Sequence, residues 1–210
     1  MNAYTYIDQY KNLRYKFFKW RYESNLIYKF GLVFGMACLT GLSAQLRIYL
    51  PFTPVPITGQ VFLVLLSGVL LGKWYGGLSQ GVYAGLGGAG IPWFAPKAGM
   101  PIFSSGGMSV LTGVTGGYII GFIAASFVIG WFTESYLKAR HFKYQLLLML
   151  IGVLIIYAFG ALFLSVVMHT GFQETMILAV LPFIPLDIAK AMGVAAISTA
   201  ILPKESYIKG

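Results

Sequence analysis

The sequence predicts an all-α integral membrane protein, a bundle of six transmembrane helices, and three observations carry that prediction. The first is composition. Of 210 residues, 58% are hydrophobic and only 10% charged, with a mean hydropathy of +0.76, whereas a soluble domain carries roughly 25% charged residues. The second is spacing: long apolar runs recur along the chain, and at about 20 residues per crossing this length holds five to seven of them. No alternation of apolar and polar residues suggests the strands of a β-barrel. The third is positive charge, which gathers in alternate links between the runs.

Residues 1–25 form a basic and aromatic N-terminal segment, with Lys11, Arg14, Lys16, Lys19 and Arg21 set among Tyr15, Phe17, Phe18 and Trp20. It reads either as a helix on anionic lipid or as a disordered, partner-binding tail. No apolar core followed by small cleavage residues marks a signal peptide. The membrane domain covers 26–203, and a short cytoplasmic tail, 204–210, follows. The first span runs from about Leu26 to Ile48. Its small residues recur at four-residue intervals, Gly31 with Gly35 and Ala37 with Gly41, which permits another helix to approach closely.

Prolines at 51, 54 and 56 then impose an extended, stiff segment. Irregular backbone at membrane depth survives only where it is buried in protein or lines a cavity. Gln60 stands near the start of the short second span, about Thr58 to Gly72. The third span, about Tyr75 to Gly90, is dense in glycine and carries Ser79, Gln80 and Tyr83. A loop containing Trp93, Phe94 and Lys97 has the composition of a lid or pocket wall. The fourth span covers about Ser109 to Phe132, with Tyr118 in it, and the fifth about Tyr144 to Met168. The sixth opens at Leu181 and runs to about Leu202.

Six spans put both termini on one side. That side collects Lys11, Arg14, Lys16, Lys19, Arg21, Lys29, Lys73, Lys138, Arg140, Lys143, Lys204 and Lys209, against only Arg47 and Lys97 opposite. The positive-inside rule therefore places both termini in the cytoplasm and the chain in the cytoplasmic membrane. The net charge of +9 is thereby assigned to the membrane surface, and nucleic acid is not expected as a partner.

Two charges remain inside the last span. Asp187 and Lys190 sit three residues apart on one helix face, and a charge at bilayer depth costs roughly 2.5–3.5 kcal/mol on insertion scales. The pair is open to three readings: an ion pair that only neutralises itself, a proton relay, or a polar recognition site roofed by apolar helices. The proline segment, the Trp93 loop and the start of the sixth span converge on the outer side, which favours the third reading. Catalysis is not expected. His141 and His169 fall in links on opposite sides, Cys38 is the single cysteine, and no nucleophile elbow, zinc-protease motif or Walker loop is present. No metal is called for, and this chain does not hydrolyse ATP.

Several separated motifs, in order, resemble the BioY family of biotin-binding S components of energy-coupling factor (ECF) transporters. They are Pro54-Val55-Pro56-Ile57-Thr58 with Gln60; Leu71-Gly72 with Ser79-Gln80; Tyr83 with Gly90-Ile91-Pro92 and Phe94; Thr115-Gly116-Gly117-Tyr118 with Gly121-Phe122; and Pro182-Phe183-Ile184-Pro185 with Asp187 and Lys190. The resemblance covers about Leu32 to Leu202. It implies a six-helix bundle of the S-component type, with a vitamin pocket near its outer face. It also implies docking of the first span on a transmembrane T component beside two ABC-type ATPases, which would hydrolyse the ATP. Gly31, Gly35, Ala37 and Gly41 are the candidates for that docking face.

Biotin fits the residues. Its ureido group offers two N–H donors and one carbonyl, which Asp187, Gln60 and the Tyr83 hydroxyl can match. Lys190 can neutralise Asp187, donate to the ureido oxygen or meet the carboxylate, and Lys97 is the exposed candidate for the carboxylate. Trp93, Phe94 and Tyr118 would pack the ring and chain. The expected function is high-affinity biotin binding and uptake. The alternatives are an S component for another small vitamin, or a membrane assembly protein in which Asp187 and Lys190 merely pair. The family seldom carries so long a basic-aromatic head, and Ala95-Pro96-Lys97 stands where a small, glycine-rich run is usual.

Overall fold

A computed structural model describes residues 3–206, with side chains from residue 8 onward. Residues 1–2 of the N-terminal segment and 207–210 of the tail, Lys209 among them, lie outside the described residues. In a chain this apolar the backbone must satisfy its own polar groups, and the helix does so within one segment. The order is α1 (Ala3–Glu23), α2 (Leu26–Ala44), β1 (Arg47–Ile48), β2 (Ile57–Thr58), α3 (Gln60–Gly88), α4 (Met108–Leu111), α5 (Gly116–Ser135), a 3-10 turn (Leu137–Arg140), α6 (Phe142–Met168), α7 (Phe172–Ala179) and α8 (Ile184–Ile201). Among the described residues α2, α3, α5, α6 and α8 are long and apolar enough to cross a membrane. Large apolar side chains such as Leu154, Leu162 and Val166 point outward from the bundle.

The second and third spans expected from sequence form a single helical run, α3, with a break at its middle. Gly72 holds φ +78° and ψ −176°, a conformation that a side chain rarely tolerates, and a Cβ there would stand 1.9 Å from Glu134 Oε1. The chain doubles back at this residue. Gln60 Nε2 donates to Tyr83 Oη at 2.6 Å, although a straight helix would separate these residues by about 35 Å. The fourth span is divided as well. Its first turns are α4, and α5 begins at Gly116, where a Cβ would meet Leu111 O at 1.8 Å, so only glycine permits the tight turn.

The first span ends at Ala44, short of Ile48, because Arg47 and Ile48 pair with Thr58 and Ile57 in a two-stranded antiparallel ladder. That ladder clasps the proline segment at its base. A short helix, α7, occupies what sequence reads as the link after the fifth span. The sixth span starts in a turn, and α8 carries Pro185 in its first turn, where a missing N–H costs nothing. At the centre of the bundle α3 packs against α2 and α5, α5 against α6, and α6 against α8. A buried hydroxyl pair, Ser67 and Ser126 at 2.6 Å, takes a further hydrogen bond from Gln80 Nε2 at 3.2 Å.

Basic residues gather at one end of the bundle, and α1 is packed there as a helix rather than trailing as a tail. Phe18 is buried. Tyr10 Oη and Arg14 Nη1 donate to Ala200 O at the end of α8, at 2.9 and 2.7 Å. Arg21 donates to Leu70 O at 2.9 Å and pairs with Glu134 at 2.9 Å. Arg140 donates from Nε to Thr133 O and from Nη1 to Pro203 O and Glu205 O. Burial, with Arg14 and Arg140 nearby, holds Lys204 below the ordinary lysine range. Ala200 O, Leu70 O and Thr133 O are carbonyls that helix ends leave without partners, while Pro203 O and Glu205 O belong to the segment after α8.

Candidate functional site

At the opposite end lies a small cavity of about 60 Å³. Six of the eight residues expected to bind substrate line it: Gln60, Tyr83, Phe94, Tyr118, Asp187 and Lys190. They come from five places in the chain: the two halves of α3, the loop after it, the start of α5 and the first turns of α8. The hairpin at Gly72 is what brings Gln60 and Tyr83 face to face.

The polar groups form one connected row. Tyr157 Oη donates to Asp187 Oδ2 at 2.7 Å. Lys190 Nζ donates to Asp187 Oδ1 and to Thr58 O, each at 2.7 Å. The Thr58 hydroxyl donates to Gln60 Oε1 at 3.0 Å, and Gln60 Nε2 completes the row at Tyr83. Asp187 is 3% exposed, so the carboxylate survives by being paired and hydrogen-bonded. Its two oxygens still have capacity, since a carboxylate accepts at about four lone-pair sites and two are filled. Tyr83 accepts from Gln60, which leaves its own proton to offer. The remaining walls are apolar, with Phe122, Ile156 and Phe183 prominent. An apolar chamber with a few placed donors and acceptors recognises a compact, mostly neutral molecule.

Trp93 and Lys97 stand elsewhere. Trp93 is behind the wall: its indole Nε1 donates to Tyr83 O at 3.0 Å, and its ring lies 5.5 Å from the Tyr83 ring. Lys97 lines a second, wider space of about 910 Å³, which shares Pro56, Ala95, Val110 and Thr115 with the inner cavity. We call it the vestibule. Loops roof this end and are tied to one another. The Tyr49 hydroxyl donates to Pro96 O, Thr53 Oγ1 to Leu178 O at 2.6 Å, Arg47 Nη2 to Met100 O at 2.7 Å, and Tyr118 Oη to Ala179 O at 2.7 Å.

Sequence reasoning missed Thr58 and Tyr157. Between Gln145 and Ser165, Tyr157 is the only side chain of α6 with an oxygen or nitrogen atom, in the most apolar span, of mean hydropathy 2.8. That isolation was its signal. Of the four small residues assigned to docking, Gly31 and Gly35 face open space, with nothing within 4 Å of a Cβ placed at either. Ala37 is fully buried, and a Cβ at Gly41 would meet Trp93 at 3.0 Å. The latter two face the interior and cannot touch a partner on the outer surface. Among the described residues no three His, Cys, Asp or Glu side chains are grouped to hold a metal ion.

The model of the BioY family matches residues 19–206. The probable biotin transporter BioY of Methanothermobacter thermautotrophicus is 44% identical over 154 residues, covering 68% of this chain and 90% of that one. The biotin transporter BioY of Thermotoga maritima is 39% identical over 151 residues, covering 72% and 83%. Among solved structures, the 2.1 Å crystal structure of the S-component for biotin from an ECF-type ABC transporter superposes with a TM-score of 0.73 at 28% identity, covering 82% of this chain and 89% of that one. The chain is a member of the BioY family.

Proposed function

We propose that this protein binds biotin and takes it up across the cytoplasmic membrane as the substrate-specific component of an ECF-type transporter. One observation carries the reading: the buried row from Tyr157 through Asp187, Lys190, Thr58 and Gln60 to Tyr83 faces an otherwise apolar cavity in a chain whose relatives are biotin transporters. Asp187 accepts the ureido N–H groups, and the Tyr83 proton or Lys190 reaches the ureido oxygen. Phe94 and Tyr118 hold the fused rings, Trp93 braces Tyr83 from behind, and Lys97 meets the tail carboxylate.

The doubled α3 supports six crossings, with both termini and the basic end in the cytoplasm. Gly31 and Gly35 form the face on which a T component docks. Two ABC-type ATPases beneath it supply the energy; no cofactor resides in this chain, and its role is binding rather than catalysis.

Thermal shift of the purified protein tests the substrate. Biotin at micromolar concentration should raise the melting temperature, while other vitamins leave it unchanged. Tight binding of a different vitamin, or no response to any, would overturn the assignment. For orientation, Lys97→Cys in a Cys38→Ala background should react with an impermeant thiol reagent from outside intact cells. Lys138→Cys should react only after permeabilisation.

A further inference from the structure

The inner cavity holds a closed charge account. Asp187 and Lys190 cancel, and the other lining side chains, among them Gln60, Tyr83, Tyr118 and Tyr157, are neutral. A substrate carboxylate drawn inside would leave one net negative charge among groups of which Asp187 is 3% exposed. Burying a charge without its own partner is strongly opposed. The vestibule differs in both respects. Its lining contains Lys97 and no acidic side chain, and it is about 910 Å³ against 60 Å³ within. The two spaces share Pro56, Ala95, Val110 and Thr115 in their linings, so the vestibule is the neighbouring space for a chain rooted in the inner cavity. Lys97 itself is exposed, and an exposed ion pair contributes little.

We infer that the site also accepts biotin whose carboxylate is joined in amide linkage to an amine, such as the side chain of lysine. The ureido ring selects, whereas the tail ends in the wider space, where no buried charge reads it. This rests on the biotin reading above. Nothing in the vestibule requires a free carboxylate, and its walls leave room for the added amine.

Competition against radiolabelled biotin on the purified full-length protein tests this, with three probes: biotin, biotin amidated on the ε-amine of lysine, and biotin methylated on a ureido nitrogen. The lysine conjugate should bind within about tenfold of biotin, the loss set by one exposed ion pair. The ureido-methylated compound should bind at least about 100-fold more weakly, because a buried acceptor loses its donor. In Lys97→Ala the gap between biotin and the lysine conjugate should close to within about twofold. A lysine conjugate more than about 100-fold weaker than biotin overturns the inference, as does a gap that survives in Lys97→Ala. Failure of the parent protein to bind free biotin is a separate result: it overturns the biotin assignment, and this inference falls with it.

Discussion

The two ends of the bundle both place cations against backbone carbonyls, yet they do so to different ends. At the basic end the guanidinium groups hold the protein to itself: Arg14 reaches Ala200 O, Arg21 Leu70 O and Glu134, and Arg140 Thr133 O and Pro203 O. Arg21 and Arg140 are buried as Asp187 is, and they cap the carbonyls of helix ends. At the pocket end Lys190 likewise reaches a carbonyl, Thr58 O, and a carboxylate, Asp187. There the partners line a cavity, and Asp187 and Tyr83 keep capacity that the protein does not use. What distinguishes the pocket end is that a carboxylate and a tyrosine hydroxyl, both with capacity to spare, face the same small apolar cavity.

The sharpest test is Asp187→Ala. It leaves Lys190 half of a buried pair, so stability should fall by about 3–5 kcal/mol, and biotin affinity by about 2–4 kcal/mol as ureido donors lose their acceptor. Asp187→Asn combined with Lys190→Met should recover stability without recovering affinity. A double variant that binds biotin as the parent does would reduce the pair to self-neutralisation.

Arg21→Ala is the matching change at the basic end. It leaves Glu134, 16% exposed, without its cation, and melting measurements should register a loss of about 3 kcal/mol with the biotin dissociation constant unchanged. A weakened dissociation constant would mean that the two ends are coupled.

On α2, Ala37→Leu overpacks the interior and should cost about 1–3 kcal/mol of stability. Gly35→Leu meets open space, so stability should hold while co-purification of the T component declines. Equal melting temperatures for the two variants would contradict the burial difference between these sites.

The smallest effect belongs to Tyr157→Phe. Asp187 keeps Lys190 but loses one donor, and biotin affinity should drop by about 1–2 kcal/mol with little change in stability. Titration calorimetry reads this directly, and parent-like affinity would remove Tyr157 from the site.

Much of this was legible in the chain because membrane helices and charges at depth are local signals. Asp187 and Lys190 stood out against an apolar background, and three prolines near Gln60 could hardly belong to a helix. Other features depend on what lies across the fold. One tyrosine in a long apolar helix is ordinary until Asp187 is found opposite it, so Tyr157 passed unseen. The small residues of α2 illustrate a different limit. Gly31 and Ala37 are six residues apart, about 240° around a helix, so the two pairs necessarily lie on different faces. Spacing alone does not say which face looks outward. The link after the fifth span hid α7 because eight residues, Phe172–Ala179, are too few for periodicity to register.

The contact of α1 with the end of α8 bears on the order in which the molecule can be completed. Tyr10 and Ala200 are 190 residues apart. At 5–20 residues per second α1 waits about 10–40 s for this partner at the end of α8. Until then Arg14 has no Ala200 carbonyl to meet. The helix α1 thus acts as a clasp that fastens only once α8 is in place, and a chain truncated before α8 would leave Tyr10 and Arg14 without the carbonyl that holds them.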